Sequence, residues 1–158
     1  MLEPQTYKFS GKVTQMRKKL VIALGIAALA VGITPGAQAS GVSTVKVHAT
    51  GANEAGGGAM GASASANFVI NKTKGTICTT IRTKGLKDIA AAHIHKGAKG
   101  VDGGPVVTFD TMKFQSRECV KVAPTLLADI AMNPAMYYFN VHTKAYSAGA
   151  VRGQLGNK

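Results

Sequence analysis

The stretch Tyr137-Tyr138-Phe139-Asn140-Val141-His142-Thr143 alternates apolar and polar side chains over its whole length. The odd-numbered positions up to 141 are apolar, and the even-numbered positions carry Tyr138, Asn140 and His142. Strict alternation over four to eight residues is typical of a strand with one face against a core. The segment from Met136 to Thr143 is therefore predicted to be a half-buried β-strand whose outward face carries a histidine.

The same period of two recurs along the chain. Seven further short strands are predicted, at Thr44–Ala49, Ala66–Asn71, Ile77–Arg82, Ala91–His95, Pro105–Phe109, Glu118–Val122 and Ala150–Leu155. Glycine-rich connections separate many of them. About eight strands of this kind predict an all-β domain, an antiparallel sandwich or barrel.

Two segments interrupt the strand pattern. A short helix is predicted over Thr125–Met132, with Thr125 as its cap and Asn133-Pro134 as its end, because the leucine and isoleucine spacing there is helical. The stretch Gly51–Ser65 consists mainly of glycine and alanine. It is expected to be a mobile loop, and since it does not lead into a helix, it is not expected to bind phosphate.

The beginning of the chain has the layout of a secretory signal peptide. Arg17-Lys18-Lys19 precedes an apolar run over Leu20–Ile33, and Ala37-Gln38-Ala39 follows it. The run is shorter than the roughly 20 residues that span a bilayer, so no permanent membrane anchor is expected. We interpret residues 1–39 as a signal peptide whose true start is Met16 if the first fifteen residues are an upstream extension.

Removal of this segment leaves a single exported domain, residues 40–158, in the periplasm or outside the cell. The whole chain has 19 Lys+Arg and 7 Asp+Glu, and five of the basic and one of the acidic residues precede Ser40. The remaining net charge of +8 is scattered along the sequence, and an exported protein rarely meets nucleic acid. Two interpretations stay open: a solvated basic surface, or attraction to anionic envelope or matrix polymers.

The two cysteines predict one disulfide. Cys78 and Cys119 are the only cysteines in the chain, and two thiols in an oxidising compartment pair with each other. Cys78 follows Ile77 and Cys119 precedes Val120, and both of these neighbours are in the core-facing phase of their strands. Both cysteine side chains are therefore expected to point away from the core. The bond would then join two segments at the surface of the sandwich.

Three of the four histidines fall on predicted strands in the outward phase. His93 and His95 are two residues apart, so their rings project from one face, and His142 occupies the same phase of another strand. If the two strands are neighbours, the three rings can converge on one ion at 2.0–2.1 Å, as zinc or copper requires. The alternative is surface histidines that only bond to nearby loops. Further ligands or residues around the ligands are expected among His48, Glu54, Asp102, Asn140 and Arg152.

Three blocks of the sequence resemble the chordin-type CHRD domain family. They are AHIHKGAKGVDGGPVV at 92–107, YFNVHT at 138–143 and GAVRGQL at 149–155. The blocks are specific in combination, and the resemblance extends over nearly all of residues 45–155.

The resemblance implies a fold and a metal. The family looks like a relative of copper/zinc superoxide dismutase, which is an eight-stranded Greek-key β-barrel. By that likeness His93, His95 and His142 would be metal ligands, and Arg152 would stand near an open coordination position. The sequence departs from the enzyme because it lacks the long loop with the additional histidine and aspartate of the zinc subsite. A binuclear site is therefore not expected.

Three classes of function follow from these observations. The favoured one is a metal-binding module that takes copper in preference to zinc. The second is a structural or interaction domain of the envelope or extracellular space without metal, and the third is a mononuclear copper redox enzyme. A binding module is favoured over any enzyme: no acidic residues are visibly paired for a glycosidase, and no G-x-S-x-G elbow is present for a hydrolase.

Overall fold

The structure is a computed structural model, and it describes residues 41–156. The predicted signal peptide over residues 1–39 and the start at Met16 lie outside the described residues. Within the described part, no helix is both long and apolar enough to cross a membrane.

Residues 41–156 contain nine β-strands and one α-helix, which confirms the all-β prediction. The strands are β1 (Val42–Thr50), β2 (Ser63–Asn71), β3 (Thr76–Thr79), β4 (Ile81–Lys84), β5 (Ile89–Lys96), β6 (Pro105–Phe109), β7 (Glu118–Lys121), β8 (Tyr137–Thr143) and β9 (Val151–Gln154). The helix α1 (Pro124–Met132) connects β7 towards β8.

The strands form one antiparallel sheet of Greek-key type that nearly closes into a barrel. Their order is β6-β5-β8-β9-β1-β2-β3-β7, and β4 pairs with β2. The last strand returns to the first, with Thr50 of β1 opposite Arg152 of β9. At the two free edges, the carboxylate of Glu118 accepts a hydrogen bond from the backbone N–H of Asp110 at 3.1 Å. This contact joins the end of edge strand β6 to edge strand β7.

The predicted third strand is split into β3 and β4 around Thr80. Both parts keep one register against β2, with Cys78 opposite Val69 and Ile81 opposite Ala66. The segment is therefore extended along β2 as predicted, and the pairing with β2 is interrupted only around Thr80. β3 also pairs with β7 on its other side, whereas β4 has no such partner.

The barrel interior is filled by the apolar phase of the strands. Phe139 and Val141, predicted to face the core, are fully buried. The rings of Phe68, Phe109 and Phe139 pack together with centroids 5.4–6.4 Å apart. Burying a side chain of this size stabilises the fold by roughly 1.5–3 kcal/mol, so this cluster fixes which face of each strand points inward.

The helix is confirmed, but the prediction of its cap is wrong. It begins at Pro124, and the N-cap position is Ala123, which makes no side-chain cap bond. Proline is well suited to the first turn because its missing N–H would have no intrahelical partner there. The helix ends at Met132, directly before Asn133-Pro134, as predicted.

The interpretation of Gly51–Ser65 as a loop without packing is wrong in part. β2 already begins at Ser63, and Ala59 and Ala62 are buried in the core. The N–H of Ala59 donates to the carbonyl of Ala150 at 2.8 Å. A side chain on Gly51 would lie 2.2 Å from the carbonyl oxygen of Ala59. The small residues therefore allow the segment to pack closely against the barrel.

The predicted disulfide is confirmed. Cys78 of β3 lies directly opposite Cys119 of β7, and the two are bonded. Neither belongs to the hydrophobic core cluster, which contains the neighbouring Ile77. The bond therefore fixes the pairing of β3 with the edge strand β7 from outside the barrel.

Removing the disulfide is expected to destabilise the fold strongly. Its cysteines are 41 residues apart, and closing a loop of that length stabilises a protein by about 4 kcal/mol in the chain-entropy model. The Cys78→Ala/Cys119→Ala variant should lose about this much free energy of unfolding in urea, and reduction of the unsubstituted chain should have the same effect. A loss below about 1 kcal/mol in both experiments would contradict the account.

Candidate metal centre

Three histidines from two neighbouring strands face one another outside the barrel wall. His93 and His95 lie on β5 and His142 lies on β8, which pair antiparallel with Ala91 opposite His142 and His93 opposite Asn140. The ring centroids are 5.3 Å apart for His93 and His95, 5.2 Å for His93 and His142, and 5.8 Å for His95 and His142. The sequence-based expectation that these rings converge is thus met.

The spacing of their nitrogen atoms suits a single ion. One nitrogen from each ring lies within 4.8 Å of the other two. Three nitrogens bound to one ion at 2.0–2.1 Å in a trigonal or tetrahedral arrangement are about 3.3–3.6 Å apart. The widest separation therefore has to close by about 1.2–1.5 Å when an ion binds, which rotation of the half-buried rings about their side-chain bonds can supply.

Backbone carbonyls fix the tautomers of two of the rings. Nδ1 of His95 lies 2.8 Å from the carbonyl oxygen of Gly103, and Nδ1 of His142 lies 2.9 Å from that of Ser147. A carbonyl oxygen only accepts hydrogen bonds, so Nδ1 of each ring carries the proton and donates it. In a neutral imidazole the other nitrogen, Nε2, then holds a lone pair, as a metal ligand must.

The nitrogens that remain have no partner in the described structure. Nε2 of His95, Nε2 of His142 and Nδ1 of His93 are buried and make no hydrogen bond. Most buried polar atoms in proteins are hydrogen-bonded, so three unpaired nitrogens in one cluster need an explanation. A shared cation would satisfy all three at once.

Burial keeps the rings in the form that binds metals. The pKa of His93 is lowered from 6.5 to about 4, chiefly by desolvation and further by the neighbouring His142 and His95. Burial also lowers the pKa of His95, although its bond to Gly103 opposes this. Both rings are therefore neutral near neutral pH, and a metal would not have to displace a proton from them.

A stack of planar groups supports His95 from one side. The ring of Tyr138 lies parallel to that of His95, with an interplanar angle of 9° and centroids 4.8 Å apart. The guanidinium carbon of Arg152 lies 3.4 Å from the centroid of the Tyr138 ring. Since β8 lies between β5 and β9, the guanidinium and the imidazole occupy opposite faces of the tyrosine.

Arg152 also holds the glycine-rich loop, residues 97–104, over this face of the sheet. Its Nη1 donates to Oδ1 of Asp102 at 2.8 Å, and its Nη2 donates to the carbonyls of Ala98 and Val101 at 2.9 and 2.8 Å. The loop carries the Gly103 carbonyl that orients His95. The resemblance implied a guanidinium beside an open coordination position, whereas here it faces Tyr138 and the loop.

The outward face of these strands is covered by another segment of the chain. Tyr138 and Arg152, which are in the outward phase of their strands, are only 3% and 2% exposed. The loop covers the face and receives their hydrogen bonds. His93 and His142 are half-buried, so the cluster retains a path to solvent.

None of the expected fourth ligands joins the cluster, which has three members within residues 41–156. His48 lies on β1 with its Nδ1 3.3 Å from Oγ of Ser65. Asp102 is bonded to Arg152. Oε1 of Glu54 accepts a hydrogen bond from Nδ2 of Asn140 at 2.7 Å.

Glu54 and Asn140 form a separate polar pair beside the cluster. Burial raises the pKa of Glu54 to about 7, against the lowering effects of Arg152 and of the Asn140 bond. Asn140 is 2% exposed, and its Oδ1 has no partner in the described structure. Since Asn140 lies opposite both His93 and Arg152 in the sheet, this pair connects the cluster to the arginine.

Sequence reasoning missed the groups that orient the ligands. Gly103 was not singled out, and a side chain there would lie 1.7 Å from the carbonyl oxygen of Lys96. Ser147 contributes a backbone carbonyl, which leaves no signal in a sequence. The position of Tyr138 could have been predicted, because its aromatic ring lies in the same outward phase of the strand as His142.

Comparison with known proteins identifies the family. Neither a curated protein nor a solved structure matches the chain. The family model of the CHRD domain matches residues 45–155, which includes the two strands with the three histidines, the glycine-rich loop and Arg152. The chain belongs to the CHRD domain family.

Proposed function

We propose that the protein is an exported metal-binding module in which His93, His95 and His142 hold one transition-metal ion. The observation that carries the proposal is that one nitrogen from each of the three rings lies within 4.8 Å of the other two, in a cluster where each ring also has a buried nitrogen without a hydrogen-bond partner in the described structure. Two of these rings have their protons held on the far nitrogen by backbone carbonyls. Such contacts are the usual way in which proteins orient metal-bound histidines.

Copper is the favoured ion, and zinc is the second choice. The donor set consists of three imidazoles, with no thiolate or carboxylate in the group. Imidazole suits both metals, and affinity for divalent ions at such a site is higher for copper than for zinc. The likeness of the family to copper/zinc superoxide dismutase points the same way. When bound, copper would supply a one-electron redox couple.

Export is supported by two independent features. The Cys78–Cys119 disulfide is typical of an oxidising compartment such as the periplasm or the extracellular space. Residues 1–39 have the composition of a signal peptide. A metal site in that compartment is exposed to environmental ions.

The contacts of Arg152 favour a binding module over a redox enzyme. Its guanidinium is buried and bonded to one carboxylate and two carbonyls, so its charge is used to hold the loop. A free cation near the metal would speed the capture of an anion by a copper enzyme, and Arg152 does not supply one. Superoxide turnover by the copper-loaded chain above that of free copper ion would favour the enzyme instead.

The untagged chain, stripped of metal with a chelator, is expected to bind one equivalent of Cu(II). A competition titration against a chelator of known affinity measures this. The His93→Ala/His142→Ala variant should lose stoichiometric binding because only one imidazole of the cluster remains. The matched control is His48→Ala, which removes an imidazole outside the cluster and should bind as the unsubstituted chain does.

Two results of that titration would contradict the proposal. Equal binding by the double variant and the unsubstituted chain would show that the cluster is not the site. Loss of binding on removal of His48 would place the metal on β1. Circular dichroism of each variant separates loss of binding from loss of folding.

The Gly103→Ala variant should weaken copper binding although it leaves every ligand in place. The added methyl group would meet the Lys96 carbonyl, so the loop must shift and take with it the carbonyl that orients His95. Loss of such a contact typically costs about 10–100-fold in metal affinity. Gly104→Ala is the matched control, because nothing lies within 4 Å of a side chain there. Equal affinities of the two variants would refute the role of Gly103.

The metal-free chain should lose stability as the pH falls from about 6.5 towards 4. The folded-state pKa of His93 is about 4 against an ordinary 6.5, so between these values the unfolded chain binds a proton that the folded chain excludes. In His93→Gln this contribution is absent. Urea unfolding in a chelating buffer should show the stability of the unsubstituted chain falling relative to the variant. Parallel pH profiles of the two proteins would contradict the low pKa.

A further inference from the structure

A groove of about 600 Å³ runs along the exposed side of β1, β2 and β4, and none of the three clustered histidines lines it. Side chains that lie opposite one another on neighbouring strands form rows along the groove. His48 lies opposite Ser65, which lies opposite Arg82, and in the next row Lys46 lies opposite Asn67. Because alternate residues of a strand share a face, these side chains project together on the side away from the core.

A second, smaller groove of about 250 Å³ continues the first. The two share Asn67, Thr80 and Arg82, and the second also reaches Arg117 at the start of β7. Together they form one extended channel, which we call the basic groove. The basic groove crosses the sheet from β1 towards the edge strand β7.

The charges on the basic groove are of one sign. Lys46, Arg82 and Arg117 are exposed, and no acidic residue lines either part. None of these three cations has an ion pair in the described part of the chain, whereas Arg152, Lys96 and Lys113 each face a carboxylate. A groove with unpaired cations and no opposing charge attracts anions.

The uncharged lining indicates the chemistry of the anion. Between the cations lie small hydroxyl and amide side chains, Ser65, Asn67 and Thr80. Thr79 lines the smaller part and has a buried hydroxyl oxygen without a partner. Among the described residues, no Phe, Tyr or Trp lines either part, and the imidazole of His48 is the only aromatic ring there, so the groove has no row of rings on which successive nucleic acid bases would stack. Sugar hydroxyls, in contrast, match these hydrogen-bonding groups.

We propose that the basic groove binds a linear anionic polysaccharide, with Lys46, Arg82 and Arg117 contacting its acidic groups and the hydroxyl and amide side chains contacting its sugar rings. This function is separate from the metal site. Three exposed cations of the domain lie along this one channel.

Isothermal titration with a heparin oligosaccharide tests the proposal, in a chelating buffer so that the metal site does not contribute. The test variant is Lys46→Gln/Arg82→Gln/Arg117→Gln. The matched control, Lys87→Gln/Lys99→Gln/Lys144→Gln, removes the same charge from exposed lysines outside the groove. Because each exposed ion pair strengthens binding by up to about fivefold and the variant loses three, the groove variant should bind about tenfold more weakly, and the control should stay within about threefold of the unsubstituted chain.

Salt and ligand controls complete the test. Binding by the unsubstituted chain should weaken with added sodium chloride, since exposed charges are screened, and a neutral dextran of equal length should not bind. The absence of heparin binding, or an equal loss in both triple variants, would overturn the proposal. An oligothymidylate that binds as tightly as heparin and loses affinity only in the groove variant would overturn the assignment to polysaccharide.

Discussion

The constraint on which the site depends is the register of β5 against β8, which is constant from Ala91 to Lys96. A slip by one residue would turn every side chain of a strand to the opposite face, and His93 and His95 would then replace Ile94 in the core. Burial of Phe139 and Val141 against the Phe68 and Phe109 rings prevents this slip. The packing of the apolar interior thus positions three imidazoles that lie on the other face of the strands. The disulfide joins β3 to β7 at the opposite edge of the same sheet.

Around the histidines, most buried polar groups are hydrogen-bonded, whereas one nitrogen of each ring and Oδ1 of Asn140 have no partner in the described structure. Arg152 contributes hydrogen bonds to three groups of the glycine-rich loop and stacks on Tyr138. The loop returns a carbonyl to His95, and the segment after β8 returns one to His142. These contacts fix the orientation of His95 and His142 before any ion arrives, while burial keeps His93 and His95 neutral. Both effects reduce the reorganisation that binding requires. The same burial explains why the outward phase of these strands is not a solvent-exposed face.

The sequence was sufficient to predict the strands, the helix, the disulfide and the convergence of the histidines, because each leaves a local periodicity or a unique residue pair. The split around Thr80 was not predictable, since it depends on β3 pairing with β7 as well as β2. The burial of Arg152 was missed because it depends on a loop that lies fifty positions away in the chain. The role of Gly103 was missed because it acts through its backbone carbonyl, which leaves no signal in a sequence. The prediction of a mobile loop at Gly51–Ser65 was wrong in part. Its small side chains were taken as a sign of backbone mobility, whereas they allow the segment to pack closely against Ala150.

The central claim is that one ion sits on Nδ1 of His93, Nε2 of His95 and Nε2 of His142. Crystals of the copper-loaded chain, measured at the copper absorption edge, test it most directly. The account predicts a single anomalous peak bonded to those three atoms at about 2.0–2.1 Å. A peak at His48 alone, or no peak at fully loaded copper, would contradict it.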